Sequence, residues 1–163
     1  MTISLKPIDR DNFRECIGLD VYPEQKEFVG SNVVSIAESK VYPHRVPLAV
    51  YNNDELVGFV MHGRDPEKFR HWIVRLMIDR AFQGRGFGRA AALALIDLMK
   101  HLDGCDEIFL CVVPENTFAQ KLYSGLGFER TGEIHEGEIV MRLSLANSAN
   151  QSKTQNPKSK DVS

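Results

Sequence analysis

Gln83-Gly84-Arg85-Gly86-Phe87-Gly88-Arg89 stands between a run of β-formers and a run of helix-formers. Upstream, Arg70-His71-Trp72-Ile73-Val74-Arg75-Leu76-Met77-Ile78 is rich in β-branched residues and predicts a strand over 70–78. Downstream, Ala90 to Leu102 is built largely from Ala, Leu, Ile and Met and predicts a helix. A glycine-rich loop entering a helix is a phosphate cradle. The first helical N–H groups lack partners within the helix and carry a partial positive charge. Gly84, Gly86 and Gly88 let a ligand approach the backbone closely, and Arg85 and Arg89 add charge. A P-loop would end in Lys followed by Ser or Thr, and neither is present. A dinucleotide loop would want a third glycine at position 89, where Arg89 stands. Taken alone, the loop also reads as a plain glycine-rich turn before a core helix.

Working outward, Ile3, Leu5 and Ile8 alternate with polar residues and predict a strand over 2–8. Asp9 or Asp11 caps a short helix through Leu19, with Phe13, Cys16 and Ile17 on its inner face. Pro23 opens a second helix whose Phe28, Val29, Val33, Ile36 and Ala37 recur at helical spacing, and Pro43 lies past its end. Strands over 47–52 and 55–63 flank Asn52-Asn53-Asp54, a hairpin turn. A short apolar strand covers 107–113. A helix runs from Asn116 or Thr117 to Gly125 or Gly127 and carries Leu122 and Tyr123. Strands over 128–133 and 138–145 close the pattern, with Gly137 in their turn. The order β-α-α-β-β-β-α-β-α-β-β is a mixed α/β layout with a mostly antiparallel first half. From Ala146 onward almost nothing could be buried, so one domain over 1–145 and a disordered polar tail over 146–163 are expected.

The bulk numbers narrow the function. A chain of 163 residues suits one core, and 43% hydrophobic with 26% charged residues is a globular balance. A net charge of -2 lacks the Lys and Arg excess of a general nucleic-acid binder, so no nucleic-acid partner is expected. Cys16, Cys105 and Cys111 are odd in number and match neither a disulfide framework nor a zinc site; Cys111 reads as a buried free thiol. The five histidines show no metal-ligand spacing, so no metal is expected. Met1-Thr2-Ile3-Ser4-Leu5-Lys6 shows no secretory leader, and no apolar stretch reaches membrane length. A cytoplasmic protein without membrane contact is expected.

Gln83, Gly86 and Gly88 spell Gln-x-x-Gly-x-Gly, which resembles the acetyl-CoA loop of the GCN5-related N-acetyltransferase (GNAT) family. Pro114-Glu115-Asn116-Thr117-Phe118-Ala119-Gln120-Lys121-Leu122-Tyr123-Ser124-Gly125-Leu126-Gly127-Phe128 resembles that family's last motif, in the right order and at about the right distance. The resemblance covers roughly residues 3–145. Glu24-Gln25-Lys26-Glu27-Phe28-Val29 with Asn32 and Ser35, and the stretch Trp72 to Asp79, are similar to the bacterial diamine and polyamine acetyltransferase branch. The resemblance implies an α/β (α+β) fold with a mixed, mostly antiparallel central sheet of six to seven strands. About four helices would flank it, and a splayed strand pair would mark the cofactor site. It implies acetyl-CoA as co-substrate, with Leu76, Met77 and Ile78 along the pantetheine arm. Residues Gln83, Gly84, Arg85, Gly86, Phe87, Gly88 and Arg89 would lie on the pyrophosphate, Asn116 on the pantetheine, and Tyr123 facing the sulfur. It also implies a small-molecule amine as acceptor, a polyamine or diamine, and a possible homodimer.

The implied chemistry is acyl transfer from a thioester to an amine. An alkylamine resembles Lys, with a pKa of about 10.4, and attacks only when neutral, so a base is required. Candidates are Glu24, Glu27, Glu38 and His71. Glu27 comes first, because the second helix borders the acceptor site in the family. Each of these acids also reads as a solvated helix-face residue. Carboxylates there would attract a polycation. Tyr123 is the proton donor to the departing thiolate, and a backbone N–H near Met77 or Ile78 polarises the carbonyl. No covalent intermediate is needed, so no cysteine need be reactive. Tyr123 also reads as an ordinary half-buried tyrosine, Asn116 as a helix cap, Arg75 as the partner of a nearby carboxylate, and Trp72 as core or pocket wall. Rival readings are an enzyme of this fold acting on a protein N-terminus or an aminoglycoside, and a non-catalytic acetyl-CoA sensor. A dinucleotide oxidoreductase would end the strand after the helix in an acidic residue; that strand ends Val112-Val113-Pro114.

Overall fold

In the computed structural model, which describes residues 1–145, the chain runs β1 (Ile3–Pro7), α1 (Phe13–Gly18), a 3₁₀ turn (Pro23–Gln25) and α2 (Asn32–Val41). It continues β2 (Arg45–Asn52), β3 (Glu55–Arg64), β4 (His71–Ile78), α3 (Phe87–Met99), β5 (Glu107–Val112), α4 (Thr117–Gly125), β6 (Glu129–His135) and β7 (Glu138–Ser144). The expected tail over 146–163 lies outside the described residues. One sheet takes the seven strands in the order β1-β2-β3-β4-β5-β7-β6, and every neighbouring pair is antiparallel except β4 with β5. The mixed, mostly antiparallel sheet with four α-helices is the fold expected from the sequence.

The parallel pair is short. Only His71 with Ile108 and Trp72 with Phe109 are in register, and beyond them the strands part. The cause lies on the other edge of β4. Met61 pairs with Arg75 and His62 with Ile73, so Val74 is an extra residue. A bulge of this kind bends its strand and raises the local twist. The Val74 carbonyl accepts a hydrogen bond from Arg75 Nη1 at 3.0 Å. Gly58 makes the close approach of β3 and β4 possible at the far end. A Cβ there would sit 2.5 Å from the Met77 carbonyl oxygen.

Both faces of the sheet are covered. One core joins Val50, Val57, Val60 and Ile78 to Ala91, Leu95 and Met99 of α3. The other joins Ala49, Phe59, Met61 and Met77 to Cys16 of α1. Central strand β3 is buried on both faces and so reads as a near-continuous apolar run.

Two helix starts and one cap differ from the sequence expectation. The second helix begins at Asn32 and not at Pro23, which opens only a 3₁₀ turn. Ser31 caps it, its Oγ accepting the Val34 N–H at 3.2 Å. Its inner face matches the apolar reading only in part: Ile36 packs partly buried against the second core, but the fully buried positions are polar. Asn32 and Ser35 are buried, while Val33 and Val34 are 55% and 49% exposed. The buried amide is satisfied, since Asn32 Nδ2 donates to the Cys16 carbonyl at 2.8 Å, so this polar face can pack inward. On α1, Cys16 is buried but Ile17 is exposed. The N-cap of α1 is Asn12, without a side-chain capping bond, rather than Asp9 or Asp11; Asp9 Oδ1 accepts the N–H groups of Asp11 and Asn12 in the turn ahead of the helix. Helix α3 begins at Phe87 rather than Ala90, because Gly86 at φ +84° is itself the N-cap. The second half of the glycine-rich loop is therefore the first helical turn.

Candidate active site

Where β4 and β5 part, a cleft of about 1590 Å³ opens. Its lining includes Leu76, Met77 and Ile78 of β4, the loop residues Gln83, Gly84, Gly86, Phe87, Gly88 and Arg89, and Asn116 and Tyr123 of α4. Two further walls come from the segment between α1 and α2 and from the β6–β7 hairpin. Beyond Trp72, β5 gives the facing edge of β4 no ladder partner. An extended ligand can add itself there as a strand.

The loop is shaped by its glycines. Gly84 and Gly86 take φ of +78° and +84°, the left-handed region that L side chains rarely adopt. Gly88 is different. It has no positive φ, and an added Cβ would meet nothing closer than Ile78 Cγ1 at 3.9 Å. Glycine within a helix costs about 1 kcal/mol relative to alanine. Protein packing supplies no reason for that cost, whereas a ligand lying on the loop does. Among the described residues, no backbone N–H from Gln83 to Gly86 donates to a backbone acceptor. Those of Phe87, Gly88 and Arg89 belong to the first helical turn, where helix geometry provides none. The row of free amides at a positive helix end fits a diphosphate.

The side chains of the loop divide. Arg89 is exposed and lines the cleft. Arg85 turns back instead: its Nη2 donates to the Ala81 carbonyl at 3.2 Å, and its guanidinium lies over Phe82. Phe87 is buried, edge-on to Phe82 at 6.3 Å, so its part in the loop is structural. Gln83 Nε2 donates to the Ile78 carbonyl at 3.0 Å, tying the loop to the end of β4.

Asn116 is the N-cap of α4, and its Oδ1 accepts the Ala119 N–H at 3.1 Å. Tyr123 projects from the same helix into the cleft. Its ring is only 8% exposed and packs edge-on to Phe128 at 5.5 Å. Burial pushes its phenol well above the ordinary value of 10.0, so it stays protonated at neutral pH.

The four base candidates separate cleanly. Glu24 and Glu27 are exposed and line the cleft. Glu38 lines it too, but is held by two guanidiniums, Arg45 Nη1 and, at 3.4 Å, Arg75 Nη2. This is the carboxylate partner expected for Arg75. His71 is buried, with Nε2 3.1 Å from the Asp103 carbonyl, and is not among the residues that line the cleft.

Cys111 is half-buried and lines the cleft, rather than fully buried as its apolar surroundings suggest. Its thiol is pushed up to about 11 by burial, and then by the carboxylates of Glu138, Glu136 and Glu133. Burial likewise lifts Cys16 to about 11 and raises Cys105. None is a thiolate at neutral pH, so none offers a ready nucleophile. Glu133, Glu136 and Glu138 all line the cleft and were not singled out from the sequence. Their crowding between Glu129 and Glu138 is the charge pattern that could have marked them. Gln25 and Gly58 carried no such mark. Among the described residues no group of three His, Cys, Asp or Glu is placed to hold a metal, and no helix is long and apolar enough to cross a membrane.

Comparison with known proteins agrees with this geometry. The sequence profile of the acetyltransferase (GNAT) family matches residues 4–128. The spermine/spermidine N(1)-acetyltransferase of Bacillus subtilis is 33% identical over 148 residues, which cover 86% of this chain and 97% of that protein. The crystal structure of spermidine N-acetyltransferase from Vibrio cholerae, in complex with CoA and spermine, superposes with a TM-score of 0.70 at 19% identity. It covers 91% of this chain and 98% of that one. The aminoglycoside acetyltransferase AAC(6')-Ib, in complex with coenzyme A, superposes with a TM-score of 0.76 at 15% identity, covering 93% and 100%. A splayed β4–β5 pair, a glycine-rich helix entry beside it and a sequence match over most of the chain lead to one assignment. The chain belongs to the acetyltransferase (GNAT) family and is an N-acetyltransferase that uses acetyl-CoA.

Proposed function

We propose that this enzyme acetylates a primary amine of a small polycation, a polyamine or diamine, by direct attack without an acetylated enzyme. The observation that carries this reading is the acidic lining of the acceptor side. Glu24 and Glu27 come from the segment between α1 and α2, and Glu136 and Glu138 from the β6–β7 hairpin; Glu133, on the same hairpin, is held by Arg70 Nη1 at 3.1 Å. Several carboxylates around one cleft raise the local concentration of a polycation and orient it. The similarity to the Bacillus spermine/spermidine enzyme over most of both chains supports the same acceptor class.

When bound, acetyl-CoA supplies the activated acetyl thioester. The amides of residues 83–89 hold its diphosphate, and the free edge of β4 at Leu76, Met77 and Ile78 receives the pantetheine arm. Asn116, already fixed as a cap, adds a hydrogen bond to that arm. An N–H at Met77 or Ile78 polarises the carbonyl. Glu27 takes the proton from the ammonium, directly or through water, since the amine with a pKa of about 10.4 arrives charged. Tyr123 gives its proton to the departing sulfur as the C–S bond breaks. The second proton, shed by the attacking nitrogen as the amide forms, returns to the phenol. Burial makes the phenol a weaker acid, but a thiolate expelled into the same dry place is a stronger base for the same reason. The inert thiols of Cys16, Cys105 and Cys111 agree with direct transfer.

A thiol-release assay with acetyl-CoA against spermidine, spermine, short diamines, aminoglycosides and N-terminal peptides tests the acceptor. Polyamines or diamines should show the highest kcat/KM by at least about tenfold. An aminoglycoside or a peptide in first place would overturn the acceptor class while leaving acetyl transfer intact.

A further inference from the structure

The segment joining α1 to α2, residues 19–31, walls the acceptor side yet has little beneath it. Within it only Val21 is buried in the core. Between the segment and Met77 lies a second hollow of about 320 Å³. A stretch of chain over unfilled space has low local stability, so its position is set by the few points where it is tied. Those ties run to the turn that carries the glycine loop. The Asp20 N–H donates to Asp79 Oδ2 at 2.8 Å, and the Arg80 N–H donates to the Asp20 carbonyl at 2.9 Å.

Further along, Gln25 and Gln83 form a reciprocal amide pair. Gln25 Nε2 donates to Gln83 Oε1 at 3.0 Å, and Gln83 Nε2 donates to Gln25 Oε1 at 2.8 Å. Both amides are oriented by backbone. Gln83 Nε2 also reaches the Ile78 carbonyl, and Gln25 Oε1 also accepts the Tyr22 N–H at 3.1 Å. Neither amide can turn over without losing a backbone bond. Gln25 sits next to Glu24 and two residues before Glu27, both of which line the cleft.

We propose that the Gln25–Gln83 pair is the joint through which occupancy of the glycine loop sets the position of the acceptor wall. A ligand on the loop holds Gln83, Gln83 holds Gln25, and Gln25 places Glu24 and Glu27 over the cleft. Gln25 lines the same cleft, and its part here is that of a positioning residue, acting through Glu24 and Glu27. Linkage makes the effect reciprocal, so an amine on the wall tightens coenzyme A by the same factor. This inference rests on the loop being the coenzyme A site.

Hydrogen exchange on the full chain, with and without saturating coenzyme A, tests it. In the natural protein, coenzyme A should slow exchange at least about tenfold at residues 83–89 and also at 20–29. Gln25→Ala should keep the slowing at 83–89, which also shows that the variant is folded, and lose it at 20–29. Its kcat/KM for spermidine should fall about tenfold, the effect of losing the two neutral hydrogen bonds to Gln83, because the misplaced wall carries the base Glu27 as well as Glu24. Gln25→Glu, which still accepts from Gln83 but cannot donate when ionised, should fall between. Slowing at 20–29 that survives Gln25→Ala, or is missing from the natural protein while 83–89 slows, would overturn the joint alone. No slowing at 83–89 in the natural protein would overturn the loop assignment and the joint together.

Discussion

Replacing Gly58 by alanine is a sharp test of the splayed-strand site, because one methyl group would act at a distance from any ligand. The added Cβ would lie 2.5 Å from the Met77 carbonyl oxygen and 2.8 Å from Ile78 Cδ1. Ordinary contact begins near 3.4 Å, so the Met77 carbonyl must retreat by about 0.9 Å. The nearest obstruction is backbone, which cannot swing aside as a side-chain tip would. Gly58 pairs directly with Ile78, so the retreat moves the end of β4 that lines the cleft. Overpacking of this kind costs about 1–3 kcal/mol of stability. A displacement near 1 Å at reacting groups costs about a hundredfold in rate. Gly58→Ala should therefore stay folded in urea titrations with a stability loss in that range. Its kcat/KM for acetyl-CoA should fall about a hundredfold. Gly18→Ala is the control, since nothing lies within 4 Å of a Cβ there and its φ is not positive. A Gly58→Ala enzyme with undiminished kcat/KM would refute the claim that the β4 edge at Met77 and Ile78 positions the co-substrate.

Tyr123→Phe should lower kcat at least about a hundredfold, as loss of a general acid does, while coenzyme A affinity in calorimetry stays within about twofold. Unchanged turnover across several pH values would remove Tyr123 from the acid role. Gly86→Glu should abolish coenzyme A binding, because φ +84° strains any side chain and the carboxylate would face a diphosphate; undiminished affinity in calorimetry would contradict the loop assignment. His62 gives a pH prediction. Burial, and secondly the charge of His71, hold it below the ordinary histidine value of 6.5. The unfolded chain then binds the proton more readily, so the contribution is full above pH 6.5 and is lost as pH falls through that value. Stability in urea should drop between pH 7 and 5 by more in the natural protein than in His62→Gln, and equal slopes would refute the assignment.

Short-range patterns made most of this architecture legible. The Asn53 turn, the Asn116 cap and the change from β-formers to helix-formers across residues 78–90 are each decided within a few residues of chain. The same is true of the glycine loop, whose φ requirements at Gly84 and Gly86 are local. Helix α2 marks where such reading stops. Val33, Ile36 and Ala37 have helical spacing, yet the buried positions are Asn32 and Ser35. The sense of that helix depends on the Cys16 carbonyl waiting beneath it for the Asn32 amide.

From its own sequence, then, this protein determined which segments are strands and helices, where the chain turns, and that a helix entry is built to hold phosphate. Capping, periodicity and glycine conformation act over a few bonds, so they survive in a linear string. Only the folded chain decided that Val74 bulges and parts β4 from β5, that Glu38 is tied to two arginines and His71 lies off the cleft, and that Gln25 meets Gln83 across 58 positions. Those outcomes depend on strand register and on which faces meet, and register is settled by the whole sheet packing at once.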